Sequence, residues 1–378
     1  MRIGVDIRPF LKEETGVGIL FKNLLFALAG IDKDNEYFLF SSSFKDRFEP
    51  KKIPPFKRGR FIDCRIPVKA VNFAWYHLKW PFLDLFFRTK LDITHSPVPL
   101  ILPTRGKKIV TVYDLFFLEN PMLTDRESRK NFTGRIGASL KKADGVMTIS
   151  YESRNRILHH FPEIDNKLKV IYPGIDQKFW ADEKTAEKEF LRSEQNLPSS
   201  FLLFVGATEA RKNLINLLQA YSLVREKYSS LSLVLAGRKG EDHSRVLDKI
   251  RELKLESSVK IISYVDESRL RYLYNVAELF VFPSWHEGFG LPLLEAMACG
   301  LPAAVSRTGA LPEVGGDAAL YFDPENPEDM AEKIIILLED NSIRQRLITA
   351  GKKRIAFFSW EKTAVDTLEF YKSVNESE

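Results

Sequence analysis

Apolar residues fall along this chain in two alternating patterns: short unbroken runs, and longer stretches at helical spacing. In the first half RIGVDI (2–7), EYFLFSS (36–42), RFIDCRIPV (60–68), LDITHSP (91–97), KKIVTVYDL (107–115), GVMTIS (145–150) and LKVIYPGI (168–175) read as strands. Between them GILFKNLLFALAG (18–30), NFAWYHLKWPFLDLFF (72–87), RESRKNFTGRIGASLKKA (126–143) and YESRNRILHHF (151–161) read as helices. A charged stretch at 180–198 reads as a hinge with a short helix, and the alternation then restarts. FLLFVGA, SLVLAG, VKIISYV, LFVFPS, PAAVS and AALYFD supply strands. Leu214, Leu217, Leu218, Tyr221 and Val224 mark the apolar face of a helix, and two more helices follow at 327–340 and 341–358. Strands alternating with helices imply parallel sheets covered on both faces. The expected class is therefore α/β, with two facing Rossmann-like domains and a ligand cleft where the strands' carboxyl ends meet.

Composition narrows the setting. A chain of 378 residues has the length of two domains, and 44% hydrophobic residues suffice for two cores. No run approaches the roughly 18 consecutive apolar residues of a membrane span. The opening MRIGVDIRPF is a charged strand and not a secretory signal. Cys64 and Cys299 are the only cysteines and lack metal-ligand spacing, and the six histidines form no paired pattern. Asp32 and Asp34, the only D-x-D, follow a helix and read as a turn. The expectation is a cytoplasmic protein with no metal and no cofactor. Residues 1–180 carry 31 Lys/Arg against 20 Asp/Glu, a net +11, whereas the remainder carries 25 against 31, a net −6. A basic first half suits an anionic partner, such as lipid phosphate at the inner face of a membrane, or a solvated surface. Nucleic acid is disfavoured, because no stacking aromatics are interleaved with the basic residues.

The chemistry concentrates in WHEGFGLPLLEAMACG (285–300), where Glu287 and Glu295 stand eight positions apart around a glycine turn. The strand LFVFPS precedes it, Pro292 suits a helix start and Gly300 a helix end. Strand, glycine turn and helix N-terminus together make a phosphate-binding geometry. The two carboxylates then suit sugar hydroxyls on either side of a diphosphate, as in a nucleotide-sugar. A solvated Glu287 and an ordinary helical Glu295 explain the same residues. VGATEARKN places Gly206, Arg211 and Lys212 after the second half's first strand, where two cations before a helix suit an anion rather than the dipole. Gly16 and Gly18 in EETGVGILFKN permit close approach of a phosphate or sugar, or make a simple turn. His95 in LDITHSP and Asp114 in TVYDL end strands, where they can face a reacting sugar or serve structure. The aromatic stretch at 72–87 reads as a core helix or as an amphipathic segment on a membrane.

Taken together these residues resemble the retaining glycosyltransferases of family 4, which have the GT-B fold. PSWHEGFGLPLLEAMACGLP is the specific signature, and GATEARKN, TGALPEVGGDAALYFDP and FSWEKTAVDTLEFY follow the family's pattern. GVDIRPF, DITHSP and VYDL are similar to its bacterial mannosyltransferase-like members. The resemblance implies an acceptor-binding domain over 1–178, joined by a returning helix at 360–378, and a nucleotide-sugar-binding domain over 179–359. It implies that Lys212 and Arg211 bind the donor diphosphate, with Gly206, Gly16 and Gly18 beside the donor. Glu295 would bind ribose, and Glu287 with Gly288, Phe289, Gly290 and Leu291 would hold the transferred sugar. Glu287, His95 and Asp114 become the catalytic candidates. Many relatives carry a histidine just before that aspartate, where this chain has Tyr113. The expected reaction is metal-independent transfer of a mannose-like hexose from a GDP- or UDP-sugar to a glycan or lipid-linked acceptor of a surface polysaccharide. A nucleotide-sugar epimerase of the same fold and a non-catalytic nucleotide-sugar binder are the alternatives.

Overall fold

The unbroken apolar runs form strands, and in the computed structural model every strand pair among the described residues is parallel. The structure describes residues 1–10, 16–46, 48–49, 53–124, 129, 132–176, 197–263 and 265–377. The hinge and short helix expected within 180–198 fall almost wholly outside these residues, as does much of the first half of the helix expected at 126–143. The chain divides into two units, one of Met1–Glu119, Arg126–Gly174 and Phe358–Glu378, the other of Asn120–Asp125 and Ile175–Phe357.

In the first unit the strands are β1 (Arg2–Asp6), β2 (Glu36–Ser42), β3 (Gly59–Cys64), β4 (Ile93–Ser96), β5 (Lys107–Val112), β6 (Gly145–Thr148) and β7 (Leu168–Val170). They lie in the order β3-β2-β1-β4-β5-β6-β7. Because strand side chains alternate faces, Ile3 and Val5 pack on one side with Leu24 and Leu28 of helix Gly16–Ile31 and with Tyr371 and Val374 of helix Trp360–Glu376. Phe38 and Phe40 pack on the other side with Trp75, Leu83 and Phe87. The last helix is thus a core element of the first unit. Ser359 caps it by accepting from the Lys362 N–H, and Thr363 Oγ1 donates to the Tyr172 carbonyl at 2.8 Å. The chain passes so closely there that a Cβ on Gly174 would lie 2.1 Å from the Trp360 nitrogen.

Two expectations need correction here. The aromatic stretch at 72–87 is not one helix: Val68–Phe73 is helical, Ala74–Leu78 forms a wider i→i+5 turn, and helix resumes at Leu83–Phe87. Lys79, in left-handed conformation at φ 56°, and Pro81, with no N–H to donate, make the break. The helix expected at 126–143 is interrupted by a turn at 133–135, after which Ile136–Lys142 is regular. Asp32 does make a turn: its Oδ1 accepts from the N–H groups of Asp34 and Asn35, and Oδ2 from the Tyr37 hydroxyl.

The second unit holds β8 (Phe201–Val205), β9 (Ser232–Ala236), β10 (Val259–Ile262), β11 (Leu279–Phe282), β12 (Ala303–Ser306) and β13 (Leu320–Phe322). Their order, β10-β9-β8-β11-β12-β13, reverses direction between β8 and β11. Helix Leu214–Lys227 buries Leu214, Leu217, Leu218, Tyr221 and Val224, the face its spacing marks. Helices His243–Glu252 and Glu267–Val276 escape the sequence pattern; the first buries only Val246 and Ile250 among charged neighbours.

Candidate functional site

A doubly wound sheet leaves a crevice at the carboxyl ends of the two strands that flank its reversal point. In the second unit these are β8 and β11, and each is followed by a loop that carries charge. After β8, Gly206 donates its N–H to the Ala236 carbonyl at 2.9 Å. It has no room for a side chain, since a Cβ would sit 2.9 Å from Phe204 Cζ and 3.4 Å from Lys212 Cε. A single helical turn, Ala210–Lys212, then ends at Asn213, which adopts φ 55°. The Asn213 amide donates to the carbonyls of Pro283 and Pro324 at 3.1 and 2.8 Å, which locks the turn against the neighbouring loop.

After β11 the chain runs from Pro283 to Gly290 and enters helix Leu291–Ala298. Gly290 at φ 104° makes the turn into the helix, and a Cβ there would lie 2.6 Å from Leu311 Cδ2. Only glycine meets both demands. Pro292 occupies the first turn, where its missing N–H costs no intrahelical bond, and Gly300 at φ 66° follows the helix end. The two loops are tied at the backbone, with the Trp285 N–H donating to the Arg211 carbonyl at 2.9 Å. A third loop supports them: the Ala310 N–H donates to the Glu287 carbonyl, and Gly309, at φ 60°, passes so near that a Cβ would lie 2.7 Å from Glu287 backbone atoms.

This frame brings Glu287 between the two cations. Lys212 Nζ donates to Glu287 Oε1 at 2.6 Å, and an Arg211 guanidinium N–H donates to Oε2 at 3.0 Å and to the His286 carbonyl at 3.1 Å. The Lys212 ammonium also stands 5.1 Å from the Phe282 ring centroid. Lys212 and Glu287 are both buried. Burial would raise the Glu287 carboxyl, but the charges of Arg211 and Lys212 prevail and hold it at about 2. Burial pushes the Lys212 ammonium below its ordinary value; Glu287 opposes that, and the like charge of Arg211 adds to it. Two cations facing one carboxylate leave one positive charge in excess, at a residue three positions ahead of Gly290, where helix Leu291–Ala298 begins. Such a place stabilises an anion.

Glu295, one turn into the same helix, is half-buried and points its carboxyl to Tyr274, whose hydroxyl donates to Oε2 at 2.8 Å. Burial pushes this carboxyl up to about 7, the Tyr274 hydrogen bond pulls the other way, and Glu267 adds to the rise. The two glutamates of the motif therefore have opposite electrostatics. Gly288 and Phe289 are buried in the loop between them, and Leu291 begins the helix.

The first unit places its sequence candidates differently. Gly16 and Gly18 sit in the first turn of helix Gly16–Ile31, Gly16 with open space where a Cβ would be and Gly18 buried. His95 is the correction. A strand-end histidine facing a ligand is the expectation, yet its ring points into the core. Nδ1 meets the Tyr371 hydroxyl at 2.6 Å, Nε2 meets Thr111 Oγ1 at 2.7 Å, and Phe21 packs edge-on. Burial lowers the ring to about 3, so it is neutral and held by both nitrogens. Asp114 is half-buried and accepts from the Phe116 N–H at 3.1 Å, starting the short helix that follows. Burial raises the Tyr113 phenol.

Sequence reasoning missed Tyr274, whose signal was absent because Glu295 and Tyr274 lie 21 residues apart. It also missed the buried pair at the end of β1. Arg8 donates to both Asp6 oxygens at 2.8 and 2.7 Å and to Asn72 at 3.0 Å, and its guanidinium lies 4.5 Å from the Trp75 ring centroid. The D-x-R spacing in GVDIRPF was the available clue. Among the described residues, no three or more His, Cys, Asp or Glu side chains gather as ligands for a metal ion.

A family model described as glycosyl transferases group 1 matches residues 186–354. The chain is 31% identical over 282 residues to O-antigen chain mannosyltransferase B of Escherichia coli, a match covering 74% of each. It is 31% identical over 264 residues to the serotype-specific mannosyltransferase WbdA of Escherichia coli; this match covers 68% of this chain and 32% of that protein. The chain therefore spans about a third of that longer relative. Among solved structures, sucrose-phosphate synthase from Thermosynechococcus elongatus is similar with a TM-score of 0.78 at 20% identity, over 99% of this chain and 98% of that one. That likeness identifies the fold as GT-B.

Proposed function

The chain belongs to the group 1 glycosyl transferases, and from that membership we propose that it moves a mannose-type hexose from a nucleotide-diphosphate sugar to a glycan or lipid-linked acceptor. The observation that carries this reading is the Arg211–Glu287–Lys212 cluster beside the N-terminus of helix Leu291–Ala298. A departing nucleoside diphosphate gains negative charge as the glycosidic bond breaks, and fixed cations aimed at that charge lower the barrier. Lys212, Arg211 and the helix N–H groups serve this role without a divalent ion. The names of the two mannosyltransferase relatives support a mannose-type sugar. GDP- and UDP-linked donors both suit the diphosphate site. Glu295 accepts from the ribose hydroxyls. Glu287, with the Gly288–Gly290 backbone, orients the sugar next to the cations.

The reaction retains configuration. The bond from C1 to the phosphate oxygen breaks, the acceptor oxygen bonds to C1 on the same face, and the acceptor's proton passes to the departing phosphate. A lipid-linked acceptor at the cytoplasmic face of a membrane suits the net +11 of residues 1–180. The test begins with a thermal-shift panel of GDP-, UDP- and ADP-sugars, since a bound donor raises stability by mass action. The responding donor is then incubated with a mannose-terminated glycan, and the product linkage is read by NMR. A donor-dependent melting shift followed by transfer with retained configuration supports the proposal. No response to any donor, an inverted linkage, or conversion of the donor without acceptor overturns it.

A further inference from the structure

The aromatic stretch at 72–87 divides its side chains between core and solvent. On an uninterrupted 3.6-residue period Leu78 would share the face of Val71 and Trp75. The i→i+5 turn at Ala74–Leu78 breaks that period, so Val71 and Trp75 are buried while Leu78 is 62% exposed. Phe73 at 58%, Trp80 at 60% and Leu85 at 45% are exposed with it. Large apolar side chains that cluster on a surface mark an interaction site, whereas single ones do not.

Charge says which partner. Between Arg65 and Leu91 the only acidic residue is Asp84, which is buried and spent on the Leu91 N–H, the Thr104 hydroxyl and the Arg105 N–H. Arg65, Lys69, Lys79, Arg88 and Lys90 are all exposed. The helix that follows at Ile136–Lys142 adds to this side. His77 stacks on Phe73 with ring centroids 4.9 Å apart and meets an Arg135 guanidinium nitrogen at 3.3 Å. Partial burial lowers the Lys79 ammonium, and the like charges of nearby Lys142 and Arg135 add to it. Cations crowding one another around exposed Leu and Trp are stable where an anionic surface neutralises them and takes up the apolar groups. An acidic protein would offer the charge without the apolar depth.

We infer that this face of the first unit, with exposed Phe73, Leu78 and Trp80 beside Lys79, Arg135 and Lys142, docks on an anionic lipid surface. The apolar side chains enter the headgroup boundary and the cations meet lipid phosphates. The inference rests on the lipid-linked acceptor proposed above for its purpose, but its test reads vesicle binding, with transfer to a soluble acceptor as the control.

The full chain is co-sedimented with vesicles of phosphatidylcholine alone and of phosphatidylcholine with phosphatidylglycerol. Binding to the anionic vesicles only, weakened by added salt, is expected. The double variant Leu78→Ser/Trp80→Ser should bind at least about tenfold less, as should Lys79→Glu/Lys142→Glu, because each cation near the surface contributes a factor of about five. Both pairs are exposed, so the melting temperature should not move. Equal binding to both vesicle types, or unchanged binding by the apolar double variant, overturns the inference. Loss of a dimer by that variant without loss of vesicle binding also overturns it, since the face would then be an interface between copies. Transfer to a soluble acceptor should be unaffected by Leu78→Ser/Trp80→Ser. Failure of the unaltered chain to bind anionic vesicles while it still transfers to a soluble acceptor thus refutes this surface alone.

Discussion

Lys212 and Glu287 lie 75 residues apart in the chain and 2.6 Å apart in the fold, with both side chains buried. The contact joins the loop after β8 to the loop after β11. A buried pair of this kind is a poor stabiliser by itself, because desolvation offsets its attraction, but removing one partner strands the other. The arrangement makes more sense as a poised binding site than as a brace.

Lys212→Ala should therefore have two effects. It removes a charge-assisted contact to the diphosphate worth roughly 1.5–3 kcal/mol, or roughly 10- to 100-fold in kcat/KM. It also leaves Glu287 with Arg211 alone and should lower the melting temperature. Steady-state kinetics on the folded variant decide the first effect; wild-type kcat/KM would remove Lys212 from the site.

The two glutamates of the motif should separate in titration calorimetry. Glu287→Gln releases Arg211 and Lys212 from a competing carboxylate, so nucleoside diphosphate affinity should hold or rise while transfer falls. Glu295→Gln should weaken nucleoside diphosphate and intact donor together. Matching affinity losses in the two variants would show that both carboxylates grip the nucleotide.

Glu295 should also set a pH dependence. Its carboxyl is raised to about 7, and only the ionised form is a strong acceptor for ribose hydroxyls. Nucleoside diphosphate affinity should then increase as pH rises through about 7. Tyr274→Phe removes a hydrogen bond that favours the charged form, so the midpoint should move higher. A flat affinity profile between pH 6 and 8 in the wild type would refute the assignment.

Acid should loosen the two units through different groups. His95 is neutral in the fold with a value lowered to about 3, below its ordinary 6.5. Its contribution is whole above pH 6.5 and is lost as pH falls towards 3. Glu287, lowered to about 2 from 4.5, contributes fully above 4.5 and loses that contribution only as pH approaches 2. Melting curves across pH 2–7 should show the early slope removed in His95→Gln and the late one in Glu287→Gln. A His95→Gln variant that melts like the wild type but has lost all transfer would instead return this histidine to catalysis.

EDTA gives the simplest test. With Lys212, Arg211 and the helix end supplying positive charge to the leaving diphosphate, transfer should survive chelation. Abolition by EDTA and rescue by Mn²⁺ would replace these residues with a metal ion in that role.

Much of this could be read from the chain. Parallel strands buried on both faces announce themselves as unbroken apolar runs, and Gly290, Pro292 and Gly300 mark the helix of the motif because each sits where backbone geometry demands it. What stayed hidden was pairing across distance. Arg211 and Lys212 signalled an anion site, but nothing local said that Glu287 would stand between them. His95 misled because strand ends and core faces alternate residue by residue, and one position decides whether a ring faces a ligand or Tyr371. The broken helix at 74–82 was concealed by an aromatic composition that suits a core helix equally well.

Apart from Asn120–Asp125, the second unit is a single stretch that begins after Gly174 and ends before Phe358, so it is inserted within the first unit and is not a tail behind it. Tyr371 completes the core that Ile3 and Val5 begin. A fragment ending before residue 358 would therefore lack a wall of its own N-terminal domain, and a tag or truncation at the C-terminus touches the first domain rather than the second. Anyone exchanging the second unit between relatives should transplant 175–357 as a cassette with two seams and carry 120–125 with it. A single crossover near residue 175 would import a foreign final helix along with the second unit, and the hybrid would fail in the core of the first unit, which the exchange was never meant to touch.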